Sequence, residues 1–230
     1  MNETAIVTGA SGNLGQAVIN KLIEDGYAVC GTVTPTDKNV LDFPANSFDK
    51  TAVDLQDEKA AAEFVQKVIE KHTSIDAAVF TVGGFAIGNI SATSTTDIQN
   101  QYKLNFETAY NVARPVFTQM MKQGSGRIFL VGSRPGLDAK SGKGMIAYSL
   151  AKSLIFRLAE LMNEEAKGTN VVTVVIVPST IDTPQNRKSM PDASFDNWVM
   201  PGDIANVISL HCKEETAILR ETVLKVYNKA

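Results

Sequence analysis

The chain has 230 residues, 44% of them hydrophobic, and a formal net charge of −3. It is long enough to bury a sizeable core. Its positive and negative charges are interspersed, and no basic block suggests binding to nucleic acids or membrane surfaces. No apolar run approaches the roughly 20 residues of a membrane span, and the first residues lead into a strand rather than a signal peptide.

The cysteines and histidines predict no metal centre. Cys30 and Cys212 lie in apolar contexts without metal-ligand spacing, which is typical of a reduced, cytoplasmic chain. His72 and His211 follow helical patterns near their ends, so we expect surface or capping roles for them. Nothing near either histidine in the sequence completes a metal or nucleophile set.

The first element is a short apolar strand that runs into a glycine-rich turn and a helix. Gly9, Gly12 and Gly15 follow the apolar residues 5–7, and apolar positions then recur at helical spacing. Glycines let a backbone approach a pyrophosphate, and a helix N-terminus offers free N–H groups. The usual fingerprint is G-x-G-x-x-G, whereas the spacing here is G-x-x-G-x-x-G. A tight turn between any strand and helix is therefore the alternative.

Strands and helices alternate along the rest of the chain. Further strands are predicted at residues 27–33, 51–55, 75–82, 126–132, 171–177 and 222–227, and helices at 57–71, 95–122 with a bend at Pro115, 143–166 and 201–211. This alternation predicts an α/β fold, a Rossmann-type doubly wound parallel sheet of about seven strands with helices on both faces. We expect a single domain over residues 1–230, with ligands at the carboxyl ends of the strands.

Three side chains are predicted to meet at that edge of the sheet. Tyr148 and Lys152 are four residues apart on one helix face, and Ser133 directly follows the strand 126–132. A tyrosine with an ordinary pKa of about 10 must be lowered toward about 7 to exchange a proton near neutrality. A lysine ammonium and a cationic nicotinamide ring are suitable sources of that shift. The alternative is a solvated Tyr/Lys helix face.

With these residues in place, the chain resembles the short-chain dehydrogenase/reductase family over essentially all of its length. The matching positions are Thr8-Gly9, Asp54-Leu55, Asn105, Ser133, Tyr148-x-x-x-Lys152 and the segment from Pro178 to Thr183. The resemblance implies a nicotinamide-dependent oxidoreductase that acts on a small molecule.

The resemblance also implies a role for each matching residue. Tyr148 would be the proton donor, and Lys152 would hold the nicotinamide ribose and lower the tyrosine pKa. Ser133 would orient the substrate, and Asn105 would hold a water for proton relay. The implied cofactor-binding residues are Gly9, Ser11, Gly12, Asn13, Leu14, Gly15, Thr32, Asp54 (at the adenine), Leu55, Gly83 (at the adenosine ribose), Pro178 and Thr183 (at the nicotinamide).

Three departures from the common family pattern point to the dihydropteridine reductases. Asn13 replaces a usual glycine, which is tolerated because asparagine accepts left-handed geometry. The residues 81–84, Thr-Val-Gly-Gly, replace Asn-Asn-Ala-Gly, and Pro178-Ser179 replaces Pro-Gly. Residues 83–89 and 182–191, followed by Phe195 and Trp198, also resemble that branch. We therefore expect hydride transfer to a dihydropteridine-like heterocycle.

Two alternatives remain open at this point. Animal dihydropteridine reductases keep the Tyr/Lys pair but lack the serine and asparagine that this chain has at Ser133 and Asn105. The full set leaves reduction of a small ketone or aldehyde open, because negative charge builds on oxygen when a carbonyl accepts hydride. A redox sensor that binds the dinucleotide without turnover belongs to a different class, and the intact set of reacting groups argues against it.

The second strand gives the expectation for the cofactor. An acidic residue at its end would bind the ribose hydroxyls of NAD and repel a 2′-phosphate, but Thr32 occupies this place and no carboxylate follows until Asp37. We therefore favour NADPH over NADH, aided by Lys38. Use of both cofactors is the alternative.

Residues 182–200 predict a substrate lid, because the segment is polar and irregular. Phe85 and Trp198 are the residues expected to lie against a flat substrate ring, and packing of the lid onto the body is the alternative for Trp198. Arg187 and Lys188 either attract an anionic substrate or are solvated. As in the family, the long helices 95–122 and 143–166 are expected to form a homodimer or homotetramer.

Overall fold

The computed structural model of the protein describes residues 3–229. Its strands are β1 (Thr4–Thr8), β2 (Ala28–Val33), β3 (Phe48–Ala52), β4 (Ala77–Phe80), β5 (Ser125–Val131), β6 (Asn170–Pro178) and β7 (Val223–Val226). They form one sheet in the order β3-β2-β1-β4-β5-β6-β7, and every neighbouring pair is parallel. This order, with helices on both faces, confirms the predicted Rossmann-type α/β fold.

Helices connect the strands. They are α1 (Asn13–Glu24), α2 (Glu58–His72), α3 (Thr95–Tyr102), α4 (Thr108–Gln123), α5 (Arg134–Leu137), α6 (Ile146–Glu165), α7 (Pro184–Ser189) and α8 (Pro201–Cys212), with a π-helical turn at Lys103–Glu107 and 3₁₀ turns at Phe195–Asn197 and Glu214–Thr216. Local signals set their ends. Asp57 caps α2 by accepting from the Lys59 and Ala60 amides, and Gly124 ends α4 at φ +78°. Within residues 3–229, none of these helices is both long and apolar enough to traverse a bilayer.

Two apolar layers cover the sheet. On one face α2, α4 and α6 pack against strand residues such as Ile6 and Ile128. On the other face α1 and α8 pack against residues such as Val7 and Phe129. The central strands are buried on both faces, which is why they read as continuous apolar runs in the sequence. Packing on both faces therefore holds the carboxyl ends of the strands in fixed positions.

The sequence-based boundaries need three corrections. The third strand begins at Phe48 rather than at residue 51, and Asp54 lies beyond it, where its carboxylate accepts from the Gln56 amide and turns the chain. The helix predicted at 95–122 departs from α geometry at the π-helical turn Lys103–Glu107 rather than at Pro115, which lies inside α4. The predicted irregular segment contains α7 and a 3₁₀ turn.

Candidate active site

The predicted site residues follow the carboxyl ends of the parallel strands. Gly9 follows β1, Thr32 is the next-to-last residue of β2, Gly83 follows β4, Ser133 follows β5 and Pro178 ends β6. β1 has β2 on one side and β4 on the other, so the connections leave the sheet centre in opposite directions here. Open α/β sheets bind ligands in the crevice that this arrangement creates.

The glycine turn has the shape of a phosphate-binding site. Gly9 has φ +68°, and a Cβ on Gly15 would collide with the Gly9 carbonyl oxygen, so only glycine lets α1 approach the turn this closely. Gly12 is the N-cap of α1, and neither a capping side chain nor an acidic residue occupies the first helical turn. Gly12 and Asn13 are exposed, whereas Leu14 is buried. The first N–H groups of α1 thus suit the phosphates of a dinucleotide.

A carboxylate that the sequence pattern did not place at the crevice lies beside the glycine turn. Asp37 accepts a hydrogen bond from the Ser11 hydroxyl of the glycine turn, and this bond lowers the pKa of its carboxyl group. The Thr32 hydroxyl is buried and has no hydrogen-bond partner within residues 3–229. Asp54 is exposed after β3, and Leu55 is buried beside it. Of these groups, the Asp54 side chain is exposed, whereas Thr32 and Leu55 are buried, and their contacts with a nucleoside stay predictions.

Ser133 and Tyr148 come together, as predicted. Ser133 is buried, caps the short helix α5 and accepts from the Gly136 amide at 3.2 Å. Burial raises the pKa of the Tyr148 phenol above its ordinary value, and hydrogen bonding with the Ser133 side chain acts in the opposite direction. The chain's own groups therefore do not give the lowered phenol pKa that the sequence reasoning required. Lowering it needs positive charge close to the phenol oxygen.

Lys152 is buried in the same part of the site, and we call the group formed by Asn105, Ser133, Tyr148 and Lys152 the corner. Its side chain is 5% exposed, and its Nζ donates to the Val131 carbonyl at 2.8 Å. Burial lowers the pKa of the Lys152 ammonium to about 8. A Cβ on Gly83 would lie 3.2 Å from that Nζ, so the exposed backbone after β4 passes directly over the ammonium. The lysine is held by the end of β5 and faces the crevice.

Asn105 fixes the loop after β4. It is buried in the π-helical turn. Its Oδ1 accepts from the Gly84 amide and its Nδ2 donates to the Gly84 carbonyl, both at 3.0 Å. Its Nδ2 also donates to the Gln101 side chain at 2.9 Å. These bonds assign Asn105 a positioning role for Gly83 and Gly84. The implied water relay stays a prediction.

The two aromatic residues predicted to contact the substrate have different surroundings. Phe85 is 61% exposed and lies edge-on to the Tyr148 ring, with the centroids 5.2 Å apart. Trp198 is 7% exposed and packs edge-on against Phe195 at 4.8 Å. The structure therefore keeps Phe85 at the crevice, but for Trp198 it favours the alternative, packing of the lid onto the body.

The predicted lid segment is held by side-chain contacts within itself and by bonds to the rest of the fold, since the Val199 amide donates to the Thr180 carbonyl and Asn228 donates to the Trp198 carbonyl. Thr183 caps α7 by accepting from the Asn186 amide. Arg187 forms a two-point ion pair with Asp182 at 2.6 and 2.7 Å and lies over the Phe195 ring. The guanidinium is thus paired within the lid although its side chain is 52% exposed, and Lys188 is also exposed.

Sequence reasoning missed several contributors to the site. The Val131 carbonyl and the Gly84 backbone are main-chain groups, which no side-chain motif identifies. Gly136 is required because a Cβ there would lie 2.7 Å from the Lys152 Cβ. Thr81 donates to the Thr8 carbonyl at 2.7 Å and joins the ends of β4 and β1. Thr81 and Gly84 gave a signal, because both lie in the stretch 81–84 that departs from the family pattern.

Comparison with known proteins agrees with this geometry. The family model described as "short chain dehydrogenase" matches residues 3–194. The chain belongs to the short-chain dehydrogenase/reductase family. It is accordingly an oxidoreductase that uses a nicotinamide dinucleotide, and the motif positions Ser133, Tyr148 and Lys152 lie inside the matched range.

Relatives of this short-chain dehydrogenase differ in their substrates. A dihydropteridine reductase from Dictyostelium discoideum is 27% identical over 210 residues, which are 89% of this chain and 85% of the relative. An acetoacetyl-CoA reductase from Acinetobacter sp. (strain RA3849) is 28% identical over 189 residues, 79% of this chain and 75% of the relative. A structure titled "ElxO with NADP Bound" shares the fold with a TM-score of 0.88 at 21% identity, covering 98% of this chain and 97% of that one.

Proposed function

We propose that this enzyme reduces a flat, dihydropteridine-like heterocycle with hydride from a nicotinamide cofactor, and that Tyr148 donates the proton. The observation that carries the substrate class is Phe85, a largely exposed aromatic ring set edge-on against Tyr148. A flat heterocycle bound beside the phenol would lie against that ring. The Dictyostelium relative carries the name of this activity across most of both chains.

The residues of the crevice fit the cofactor. The open glycine turn and the uncapped start of α1 would hold the pyrophosphate, Thr32, Asp54 and Leu55 would line the adenosine, and Gly83, Pro178 and Thr183 would approach the ribose and nicotinamide. The bound dinucleotide supplies the hydride and, when oxidised, a positive charge. Every other step is carried by groups of this chain.

The proton is delivered from the buried corner. Tyr148 holds it on the phenol oxygen, because burial keeps the phenol pKa high. Ser133 donates to or accepts from the reacting nitrogen or oxygen of the substrate and fixes its distance to the phenol. The Lys152 ammonium, which donates to the Val131 carbonyl, would supply positive charge to the phenolate. Asn105 would hold the Gly84 backbone, next to the glycine that passes over the ammonium, in one position.

The substrate class is tested by following cofactor oxidation with quinonoid dihydropterin and with a panel of small ketones and aldehydes. We expect turnover of the pterin, and Phe85→Ala should raise its KM at least several-fold while leaving the cofactor KM unchanged. Phe195→Ala, which alters the lid and not the phenol's neighbour, is the matched control. Turnover of carbonyls alone would reject the pterin.

Reduction of a carbonyl is the second candidate. It is favoured by the buried Ser133 hydroxyl beside Tyr148, because a donor at that place stabilises the oxygen that gains charge in carbonyl reduction. The acetoacetyl-CoA reductase relative is named for such a reaction. Ser133→Ala separates the two candidates, since it should lower carbonyl turnover far more than pterin turnover.

For the cofactor, NADPH is proposed over NADH. β2 ends in Thr32 and Val33 without a carboxylate, and the similar ElxO structure is titled with NADP. Asp37 acts against this preference, because its charge lies at the glycine turn. Asp37→Asn should therefore raise the ratio of kcat/KM for NADPH to that for NADH about tenfold. A wild-type preference of more than tenfold for NADH would overturn the proposal.

We place the enzyme in the cytoplasm as a single domain with a lid at about 182–200, and both of its cysteines are free. The assembly proposed is a homodimer or homotetramer through the α3–α4 segment and α6. Those helices expose large apolar side chains, namely Ile98, Tyr102, Tyr110, Leu150, Leu154 and Leu161. Light scattering measures the mass in solution, and a monomer would reject this assembly.

A further inference from the structure

Three potential metal ligands meet on the sheet face that α2 covers. Cys30 in β2 and Asp49 in β3 are register partners in the parallel pair, so their side chains leave the sheet on the same face. His72, the last residue of α2, is the third member. The ligand atoms of the three residues all lie within 4.8 Å of one another. They are far apart in the sequence, which explains why spacing predicted no metal site.

The distances match a tetrahedral metal site. The His72 Nε2 lies 3.6 Å from the Cys30 Sγ and 3.8 Å from the Asp49 Oδ2. Around zinc, with bonds of about 2.3 Å to sulfur and about 2.0–2.2 Å to nitrogen and oxygen, the corresponding separations are about 3.6 and 3.4 Å. The two observed distances therefore need changes of only a few tenths of an ångström.

A hydrogen-bonded catalytic triad does not explain the cluster. In a Cys-His-Asp relay the thiol and the carboxylate contact different ring nitrogens of the histidine. Here the same Nε2 faces both the Cys30 sulfur and the Asp49 oxygen. Three ligand atoms thus surround one point, which is what a metal ion requires.

We propose that Cys30, Asp49 and His72 bind a zinc ion, with a water as the fourth ligand. Sulfur, imidazole and carboxylate together suit zinc better than the oxygen-seeking magnesium or calcium. Cys30 is buried, while the Asp49 side chain is 45% exposed, so solvent reaches the open position. On binding, Zn²⁺ replaces the thiol proton, which passes to the buffer, and no group is oxidised or reduced.

Lys71 competes for the same carboxylate oxygen. Its Nζ lies 2.6 Å from the Asp49 Oδ2, and its side chain is 59% exposed. Zinc must displace this ammonium, for which the exposed side chain has room in the solvent. The burial that raises the pKa of the Cys30 thiol to about 11 also works against the metal. Both effects predict weaker binding than at a four-ligand structural site.

A zinc ion here would act on stability rather than on the reaction. β3 is an edge strand of the sheet, and the ion would join it to β2 and to the end of α2. The reacting groups lie beyond the opposite ends of other strands. A ligand that binds only the folded state raises the melting temperature in proportion to the logarithm of its concentration.

The test begins with chelator-treated, dialysed enzyme and Co²⁺ as a spectroscopic probe. We expect a thiolate-to-cobalt charge-transfer band that Zn²⁺ abolishes, and a rise in melting temperature with added Zn²⁺. Cys30→Ser should lose the band and at least about a hundredfold in zinc affinity, because a ligand contributes at least as much as its supporting groups. Cys212→Ser, which removes the other free thiol, should change neither. A missing band, or one lost only in Cys212→Ser, overturns the site.

Lys71→Met provides a variant that keeps the buried sulfur. Removing the competing ammonium should tighten zinc binding several-fold, and His72→Gln should weaken it by about as much as Cys30→Ser. Reductase turnover should be unchanged in Lys71→Met and Cys30→Ser. Unchanged zinc affinity in Lys71→Met removes Asp49 from the ligands and overturns the three-ligand site, even if Cys30→Ser does not fold.

Discussion

The corner around Lys152 and the lid at residues 182–200 are held in place by different kinds of contact. Lys152 and Asn105 bond to main-chain groups at the end of β5 and after β4, so their positions depend on the sheet. In the lid, side chains pair mainly with each other, as Arg187 does with Asp182, and only a few bonds join the segment to the rest of the fold, such as that from Asn228 to the Trp198 carbonyl. The difference teaches that the proposed reacting groups are fixed by the sheet, whereas the side-chain pairs of the proposed lid can change with less effect on them.

The largest effect should come from the phenol itself. Tyr148→Phe removes the proposed proton donor and keeps the ring that packs against Phe85. We expect kcat to fall by about 10²–10⁴-fold, the usual contribution of a general acid, with cofactor affinity nearly unchanged. Stopped-flow turnover and a cofactor titration measure the two quantities. Unaltered turnover would remove Tyr148 from its role.

The next largest effect should come from removing the Asn105 side chain, which bonds to the main chain of Gly84. Asn105→Ala leaves the Gly84 amide and carbonyl without their buried partner, which should cost about 1–3 kcal/mol of unfolding free energy. Turnover should fall as well, because Gly83 loses its fixed place over Lys152. Urea denaturation and steady-state kinetics measure both. Loss of stability with full activity would contradict the coupling of this corner to the sheet.

The pKa of Lys152 gives a pH test of the same corner. Burial lowers that pKa to about 8, so kcat/KM should fall about tenfold per pH unit above about pH 8 as the ammonium loses its proton. Folding responds in the opposite direction. Between about pH 8 and the unfolded pKa of about 10.5, the unfolded state binds more protons, so this group's contribution to stability rises with pH.

Lys152→Arg is the control for the fall in kcat/KM above about pH 8, because a guanidinium stays charged throughout this pH range. Its activity is expected to be lower, but without the fall above pH 8. If kcat/KM of the variant still falls above about pH 8, the titration belongs to another group.

The smallest effect is expected in the lid. Arg187→Gln breaks the pair with Asp182 and the contact with Phe195, but the Arg187 side chain is 52% exposed, so the pair should contribute little to stability. The melting temperature should stay within a degree or so, and the substrate KM should rise only a few-fold. Lys188→Gln is the matched control. A loss of kcat comparable with that of Asn105→Ala would show that the lid and the corner are not independent.

The same contrast explains how much could be predicted from the sequence. The fold and the meeting of Ser133 with Tyr148 were predictable, because apolar periodicity fixes the strands and parallel strands present their carboxyl ends at one edge. The main-chain partners of Lys152 and Asn105 were not, since every residue carries the same carbonyl and amide. The contact of Asp37 with the glycine turn was not predicted, and for Trp198 the sequence left substrate contact and packing as alternatives, because both depend on how loops fold back, which periodicity does not determine.

The π-helical turn at Lys103–Glu107 has a consequence for protein engineering. Such a turn contains one residue more than an α-helical turn of the same span. Deleting one residue there should restore regular α geometry and leave the outward faces of α3 and α4 in phase, because the wider turn already takes up the extra residue. The change would be confined to the turn itself, where Asn105 would shift relative to Gly84. The extra residue therefore offers a way to alter one polar contact of the site by a backbone deletion that spares the two helices around it.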